Sequence, residues 1–477
     1  MEGAPNILSR LVFFLWVPFC LWGMKRWPPA RATAAMSLVG VLILPELVTF
    51  SVPGIPDFYK PTIIVLWVFL GAVFFHRERL SSVSFPWQLK WCIGFLLVGA
   101  VFTVLLNTDP LNYGSSYVPA HRPYDIVHLL IKRILMIILP FVLGLSMFRS
   151  GAELRVLLQT FVAAALLYSI LQIAEMVLSP QLNRWVYGFH QHSFAQTMRG
   201  GGFRPMVFMS HGLALAMFTT LATIAAAALH KVGAKVIDVP AKWAAGYLGA
   251  ILATSRSVAA LLYAFVAVPL VLFVSPRRQV FVALAIGSLL LTYPAARSLG
   301  LIPVDDINAF VLDQYGVEKV GSLTVRFENE AEMLDKALER LWFGWGWFCR
   351  ACFYDPWSGA LISIRDGAWI ATLGNTGIIG FIGHFGLLVF PVWVLWRRIS
   401  RVPKVANRRL LAALALMVGL SCFDLIPNGN FNTISLLLAG ALYGSLDGLL
   451  REAALARRRR RAERARAAQE ARGALAT

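Results

Sequence analysis

Seven side chains in this 477-residue sequence have the types and spacing to do chemistry together: Arg199, Arg204, His211, Arg256, Arg326, Arg365 and Asp366. A guanidinium is a planar, permanently charged fork that grips phosphate or carboxylate through parallel hydrogen bonds. Five arginines that membrane topology does not explain therefore point to an anionic ligand bearing phosphate or carboxylate. From Arg199 to Gly212 the chain reads Arg-Gly-Gly-Gly-Phe-Arg-Pro-Met-Val-Phe-Met-Ser-His-Gly. Glycine lets backbone and ligand approach closely, which suits a phosphate-binding turn, although the stretch reads equally as a flexible loop. His211, alone, is a hydrogen-bonded structural histidine before it is a catalyst. Asp366 can take a proton from a hydroxyl, or cap the helix that follows it. A Walker-type loop and an HExxH pair are both missing, so nucleotide hydrolysis and zinc proteolysis lack support, and neither metal nor cofactor is expected.

The elements that must position these residues are membrane helices. Hydrophobic residues make up 58% of the chain and charged residues 14%, more apolar than a water-soluble domain of this length needs. Apolar runs of about 17 to 25 residues, enough to cross hydrocarbon as helix, recur along nearly the whole chain. About thirteen spans are expected, near 8–24, 34–52, 61–75, 91–106, 128–148, 156–177, 207–229, 241–254, 257–275, 280–296, 371–396, 409–425 and 431–449. The fold class is all-α and polytopic, with a single transmembrane domain over 1–450 and a basic tail over 451–477.

Every second connection is basic, as with Lys25, Arg26 and Arg31, then Arg77, Arg79 and Lys90, and later Arg397 to Arg409. The positive-inside rule places these, and the C-terminus, in the cytoplasm, and an odd span count puts the N-terminus outside. The net charge of +19 is then largely topological, and nucleic acid is discounted as a partner. The outer connections include 107–125, 179–206 and a long one over 297–370. In the last, Phe327, Ala331, Leu334, Leu338 and Leu341 recur at helical spacing opposite Glu328, Glu332, Asp335 and Glu339, marking an amphipathic helix. Arg199, Arg204, Arg256, Arg326 and Arg365 all fall on that outer side. Cys349 and Cys352 form a lone CxxC pair, which is either a local disulfide in an oxidising compartment or two thiols. Cys20, Cys92 and Cys422 read as buried thiols.

Three segments in order resemble the O-antigen ligase and O-antigen polymerase family of bacterial envelope glycosyltransferases. They are the Arg204 to Ala214 approach to a span, Ala253-Thr-Ser-Arg256-Ser between two spans, and the loop from Ser322 through Gly380. The loop opens Ser-Leu-Thr-Val-Arg326, contains Phe-Gly-Trp-Gly346, and closes Arg365-Asp-Gly-Ala-Trp-Ile before Gly374-Asn-Thr-Gly377-Ile-Ile-Gly380. The similarity covers roughly 199–396. One departure stands out: Gly377 keeps a glycine position of the family's ligases, while Asp366 occupies the position of their loop histidine.

The resemblance implies a GT-C-like, metal-independent glycosyltransferase in the bacterial inner membrane, with the long loop in the periplasm. Its donor would be an undecaprenyl-diphosphate-linked glycan, its acceptor a glycan or lipid, and other polysaccharide assembly proteins its companions. Arg204, Arg256 and Arg326 would hold the diphosphate, with Arg199 and His211 beside them. Arg365 would meet the sugar or diphosphate, and Asp366 the acceptor hydroxyl. Loss of the histidine tilts the reading toward a polymerase of O-antigen or exopolysaccharide rather than a ligase. The rival class is a transporter or flippase of lipid-linked oligosaccharide, for which Lys132 and Arg133 would also serve. A purely structural scaffold would instead tolerate substitution of the arginines.

Overall fold

The computed structural model describes residues 3–52, 55–199, 201–364, 366–429 and 433–474. A helix stands at each expected span, because a segment in hydrocarbon must satisfy its backbone polar groups internally. They run α1 (Ile7–Arg26), α2 (Pro29–Ile43), α3 (Lys60–Phe75), α4 (Trp87–Leu105), α5 (Tyr124–Met147), α6 (Gly151–Val177), α7 (Gly212–Lys231), α8 (Ala241–Thr254), α9 (Val258–Phe273) and α10 (Pro276–Ser298). Two loop helices follow, α11 (Val304–Tyr315) and α12 (Val317–Glu339), and then α13 (Ala368–Arg398), α14 (Val405–Asp424) and α15 (Thr433–Ala474). Nine helices among the described residues are long and apolar enough to cross a membrane, and α2, α3 and α9 are shorter apolar helices. This is the architecture of a multi-pass membrane protein. Large apolar side chains such as Leu167, Ile170, Phe265 and Phe281 are exposed on the outer faces, where a bilayer rather than water suits them.

Three spans depart from the expected course, each for a local reason. α2 ends at Ile43 rather than continuing to 52, because Pro45 forces Leu44 out of the helical region and cannot donate to the ladder. α7 begins at Gly212, since His211 is extended and its Nδ1 accepts from Leu213 N at 3.0 Å as the helix cap. α13 is interrupted at Gly377, whose φ of 61° and ψ of −173° no helix permits. The amphipathic helix is also longer than the marked residues: α12 starts at Val317, and Leu341 lies beyond its end.

Packing collects the basic connections at one end. Arg451 Nη2 donates to Ser84 Oγ at 2.6 Å, Arg79 pairs with Glu153 at 2.8 Å, and Arg409 Nη1 donates to the Lys231 carbonyl at 2.8 Å. The other connections meet at the opposite end, where Arg340 Nη1 donates to the Leu106 carbonyl at 2.9 Å and Ala368 N to the Leu425 carbonyl at 3.0 Å. The N-terminus belongs to this second end, because Asn6 N donates to the Tyr187 carbonyl at 3.0 Å.

The bundle is centred on α14, whose residues from Leu410 to Cys422 are all buried. Against α5, α15 presents Gly440, Gly444 and Gly448 at four-residue spacing, and a Cβ on Gly440 would lie 2.1 Å from the Phe141 carbonyl. Small residues at this spacing let helix backbones touch, the usual substitute in lipid for hydrophobic driving force.

Candidate active site

Arg204 and Arg256 come from connections more than fifty positions apart and are joined through the backbone. The hairpin Met198–Arg199 with Gly202–Phe203 presents Arg199 at its turn. Arg204 Nη2 donates to the Arg256 carbonyl at 2.9 Å, and Arg256 Nη1 donates to the Arg199 carbonyl at 2.9 Å, closing a circuit. Arg256 occupies the left-handed region, with φ of 54°, in the break between α8 and α9. A non-glycine residue there is held at a cost of about 1–3 kcal/mol and marks sites where geometry matters more than stability. The glycine-rich stretch makes room for this circuit, since a Cβ at Gly202 would lie 2.3 Å from Arg256 Nη2. Arg204 Nε is buried without a hydrogen-bond partner among the described residues. Burial and the neighbouring Arg199 push the Arg204 guanidinium below its ordinary range.

His211 sits beside this circuit. Burial first, then His192, Arg204 and Arg199, push its imidazole down to about 4, so it is neutral near pH 7. Its Nδ1 accepts the cap bond from Leu213, which leaves the proton on Nε2, 3.5 Å from Gln196 Oε1. His211 is thus a capping residue that can also donate.

Sequence reasoning missed what holds this loop in place. Glu175 on α6 is 1% exposed, and its Oε2 accepts from both Met206 N and Val207 N at 2.7 Å, while Oε1 accepts from Leu182 N at 3.1 Å. Val207 has φ of 53°, a conformation that a branched side chain resists. The carboxylate clamps this strained turn three residues beyond Arg204. An isolated acid in an apolar span was the available signal.

Arg326 and Asp366 form a second group, with Arg326 Nε 2.9 Å from Asp366 Oδ2. The helix cap of α13 is Gly367, without a side-chain bond, so Asp366 does not cap that helix and its carboxylate is given to Arg326. The pair borders a cavity of 180 Å³ shared with Tyr293, Glu330 and Pro427. Glu330 accepts from Tyr293 Oη at 3.1 Å and Arg297 Nε at 3.0 Å. Burial raises its carboxyl, opposed by these hydrogen bonds. Glu330 lies on the apolar stripe of α12, between Phe327 and Leu334, and that misplaced charge was legible in the sequence. Arg365 lies outside the described residues.

The two groups share an end of the bundle, and no described contact joins them directly. The rim between them is the end of α14, where Asp424 Oδ1 accepts from Asn428 Nδ2 at 2.7 Å and Tyr263 Oη at 3.5 Å. Asn428 in turn accepts from Ala368 N through its carbonyl at 3.0 Å, and Tyr263 belongs to α9, which starts just after Arg256. Nearby, Lys60 is 3% exposed and bonds Glu46 Oε1 and the Phe208 carbonyl, each at 2.8 Å, beside a cavity of 210 Å³.

The glycine motifs of the loop and of α13 dock on one another. Trp345 N donates to the Gly374 carbonyl at 2.8 Å, Gly346 N to the Asn375 carbonyl at 3.0 Å, and Ile378 N to the Leu341 carbonyl at 2.7 Å. The helix break at Gly377 therefore receives the loop, and a Cβ there would lie 2.4 Å from Phe343 N. Cys349 and Cys352 are joined as a disulfide in this loop. Among the described residues, no three His, Cys, Asp or Glu side chains converge to hold a metal ion. Compared with protein-family models and with curated proteins, the chain matches none.

Proposed function

We propose that this protein is a membrane glycosyltransferase of bacterial polysaccharide biosynthesis, joining undecaprenyl-diphosphate-linked oligosaccharide units at the periplasmic face. The observation that carries the reading is the circuit at one end of an apolar bundle in which the guanidinium groups of Arg204 and Arg256 are locked by carbonyl bonds, the second of them to the Arg199 carbonyl. An acceptor hydroxyl attacks the anomeric carbon of the donor sugar. The bond from that carbon to the diphosphate oxygen breaks, and the lipid diphosphate leaves with the electron pair. Guanidinium groups fixed in advance beside lipid stabilise the charge that develops on it, because they need no reorganisation in the transition state. Asp366, oriented by Arg326, accepts the hydroxyl proton. His211 Nε2–H donates to the diphosphate.

In this reading the fold is GT-C-like, the membrane is the inner membrane, the tail after Leu450 is cytoplasmic, and the loop 297–370 is periplasmic. The Cys349–Cys352 bridge supports an oxidising compartment for the loop. Asp366 at the ligase histidine position favours a polymerase, with a second carrier-linked glycan as acceptor. Replacing Arg256 with alanine in the native host tests the assignment. Long polysaccharide is lost at an unchanged protein level if the reading holds, and unchanged polymer length refutes it.

A further inference from the structure

A cavity of 390 Å³ at this end lies away from both arginine groups. Pockets that bind small molecules measure about 300–1,000 Å³ and combine aromatic walls with a few placed polar groups. Three segments build this one: the connection before α3, the start of α5, and the turn at Trp347 and Phe348. Tyr59 and Lys60 begin opposite walls, so the start of α3 separates this cavity from the one beside Glu46.

The frame is rigid. His121 Nε2 accepts from Trp347 N at 3.0 Å while its Nδ1 faces Asp125 Oδ2 at 3.4 Å, which fixes the proton on Nδ1. Burial lowers the His121 imidazole, with Asp125 opposing, in keeping with a neutral acceptor. Phe348 and Cys349 both take positive φ, 59° and 55°, in a turn closed by the Cys349–Cys352 bridge. Such conformations cluster at ligand clamps. Directly after Lys132 and Arg133, α5 winds into a π-helical turn over Ile134–Ile138, a distortion frequent at functional sites.

The chemistry of the lining selects the ligand. Tyr59, Tyr124, Trp347 and Phe348 offer aromatic faces. The Asp57 carboxylate and the His128 imidazole make no hydrogen bond or ion pair among the described residues. Lys132 is the one lysine or arginine of the lining, set over the Trp347 ring at 3.2 Å from its centroid, against the two carboxylates of Asp57 and Asp125. Even with His128 charged the balance only reaches neutrality, so the cavity has no surplus of positive charge for a diphosphate. A ligand with an apolar C–H face for the rings, and hydroxyls that donate to carboxylate and imidazole, fits instead. We infer that this cavity is a saccharide-binding subsite, separate from the diphosphate site, with Asp57 and His128 as its hydroxyl-binding groups. Its role as the acceptor's seat rests on the glycosyl-transfer reading, whereas the binding does not.

The full chain in lipid nanodiscs tests this by saturation-transfer NMR titration with methyl glycosides of glucose, galactose, mannose and N-acetylglucosamine. At least one glycoside should bind, and Asp57→Asn and His128→Ala should each weaken it about tenfold, the scale of one lost hydrogen bond to a charged or buried group. Both variants should keep the wild-type melting temperature, and inorganic pyrophosphate affinity, where the wild type has any, should stay within about twofold. Absence of glycoside binding, glycoside affinity unchanged in both variants, or pyrophosphate affinity that falls with them would overturn the inference. A wild type that binds glycoside but forms no glycosidic bond would instead defeat the transferase reading and leave the subsite standing.

Discussion

Arg326 Nε stands 2.9 Å from Asp366 Oδ2, and both side chains remain partly open to solvent, at 57% and 39% exposure. An ion pair this exposed contributes about 0–1 kcal/mol to stability. Its geometry therefore matters for chemistry more than for the fold. Asp366→Asn should lower transfer activity by about 100-fold or more while shifting the melting temperature by no more than a few degrees, roughly. Initial rates and thermal unfolding of the same preparation check this. Activity retained at a reduced melting temperature would make the pair structural.

Glu175 carries the opposite expectation. Its buried carboxylate satisfies three backbone N–H groups, two of them in the strained turn at Met206 and Val207. Glu175→Ala leaves those donors buried and unpaired, at about 1–3 kcal/mol each. Stability and activity should fall together, as read by denaturation in detergent alongside rate measurements. Wild-type stability in this variant would show that the turn holds itself.

His211 gives a pH signature. Its pKa is lowered in the folded protein to about 4 from the usual 6.5, so between those values the unfolded chain binds more protons. The stabilisation is complete above the usual value and is lost as pH falls toward 4. His211→Asn keeps a capping side chain and removes the titration. The melting temperature of the variant should rise less steeply than wild type between pH 4 and 6.5. Parallel curves would contradict the imidazole's burial beside Arg204.

The bridge between Cys349 and Cys352 makes these two thiols unreactive until reduced. In intact spheroplasts, a membrane-impermeant maleimide should label both only after reduction, and mass spectrometry of the peptides reads the outcome. Labelling without reduction removes the bridge, and labelling that requires lysis places the loop in the cytoplasm.

Much of the architecture was legible because hydropathy and basic connections are repeated signals. Arg256 in a tight break between spans could be read directly, since nothing but a short connection separates two apolar runs there. The pairing of Arg326 with Asp366 could not, because it joins a loop helix to a residue forty positions on, and sequence carries no distance between them. Asp366 looked like a helix cap for the same reason. The end of α2 was misplaced because apolar content outweighed the stop imposed by Pro45. Glu330 and Glu175 were overlooked although each sat among apolar residues, where an ionisable group has to be satisfied by partners.

The most direct measurement places the purified protein alone in proteoliposomes with a synthetic undecaprenyl-diphosphate oligosaccharide, and follows new glycosidic bonds and released lipid diphosphate together. Glycosyl transfer by this site predicts both products in equal amounts with wild type, and a fall of about 100-fold or more with Arg256→Ala, the scale set by losing one preorganised donor to a developing anion. Oligosaccharide crossing the bilayer without bond formation, or equal rates for wild type and Arg256→Ala, would contradict it.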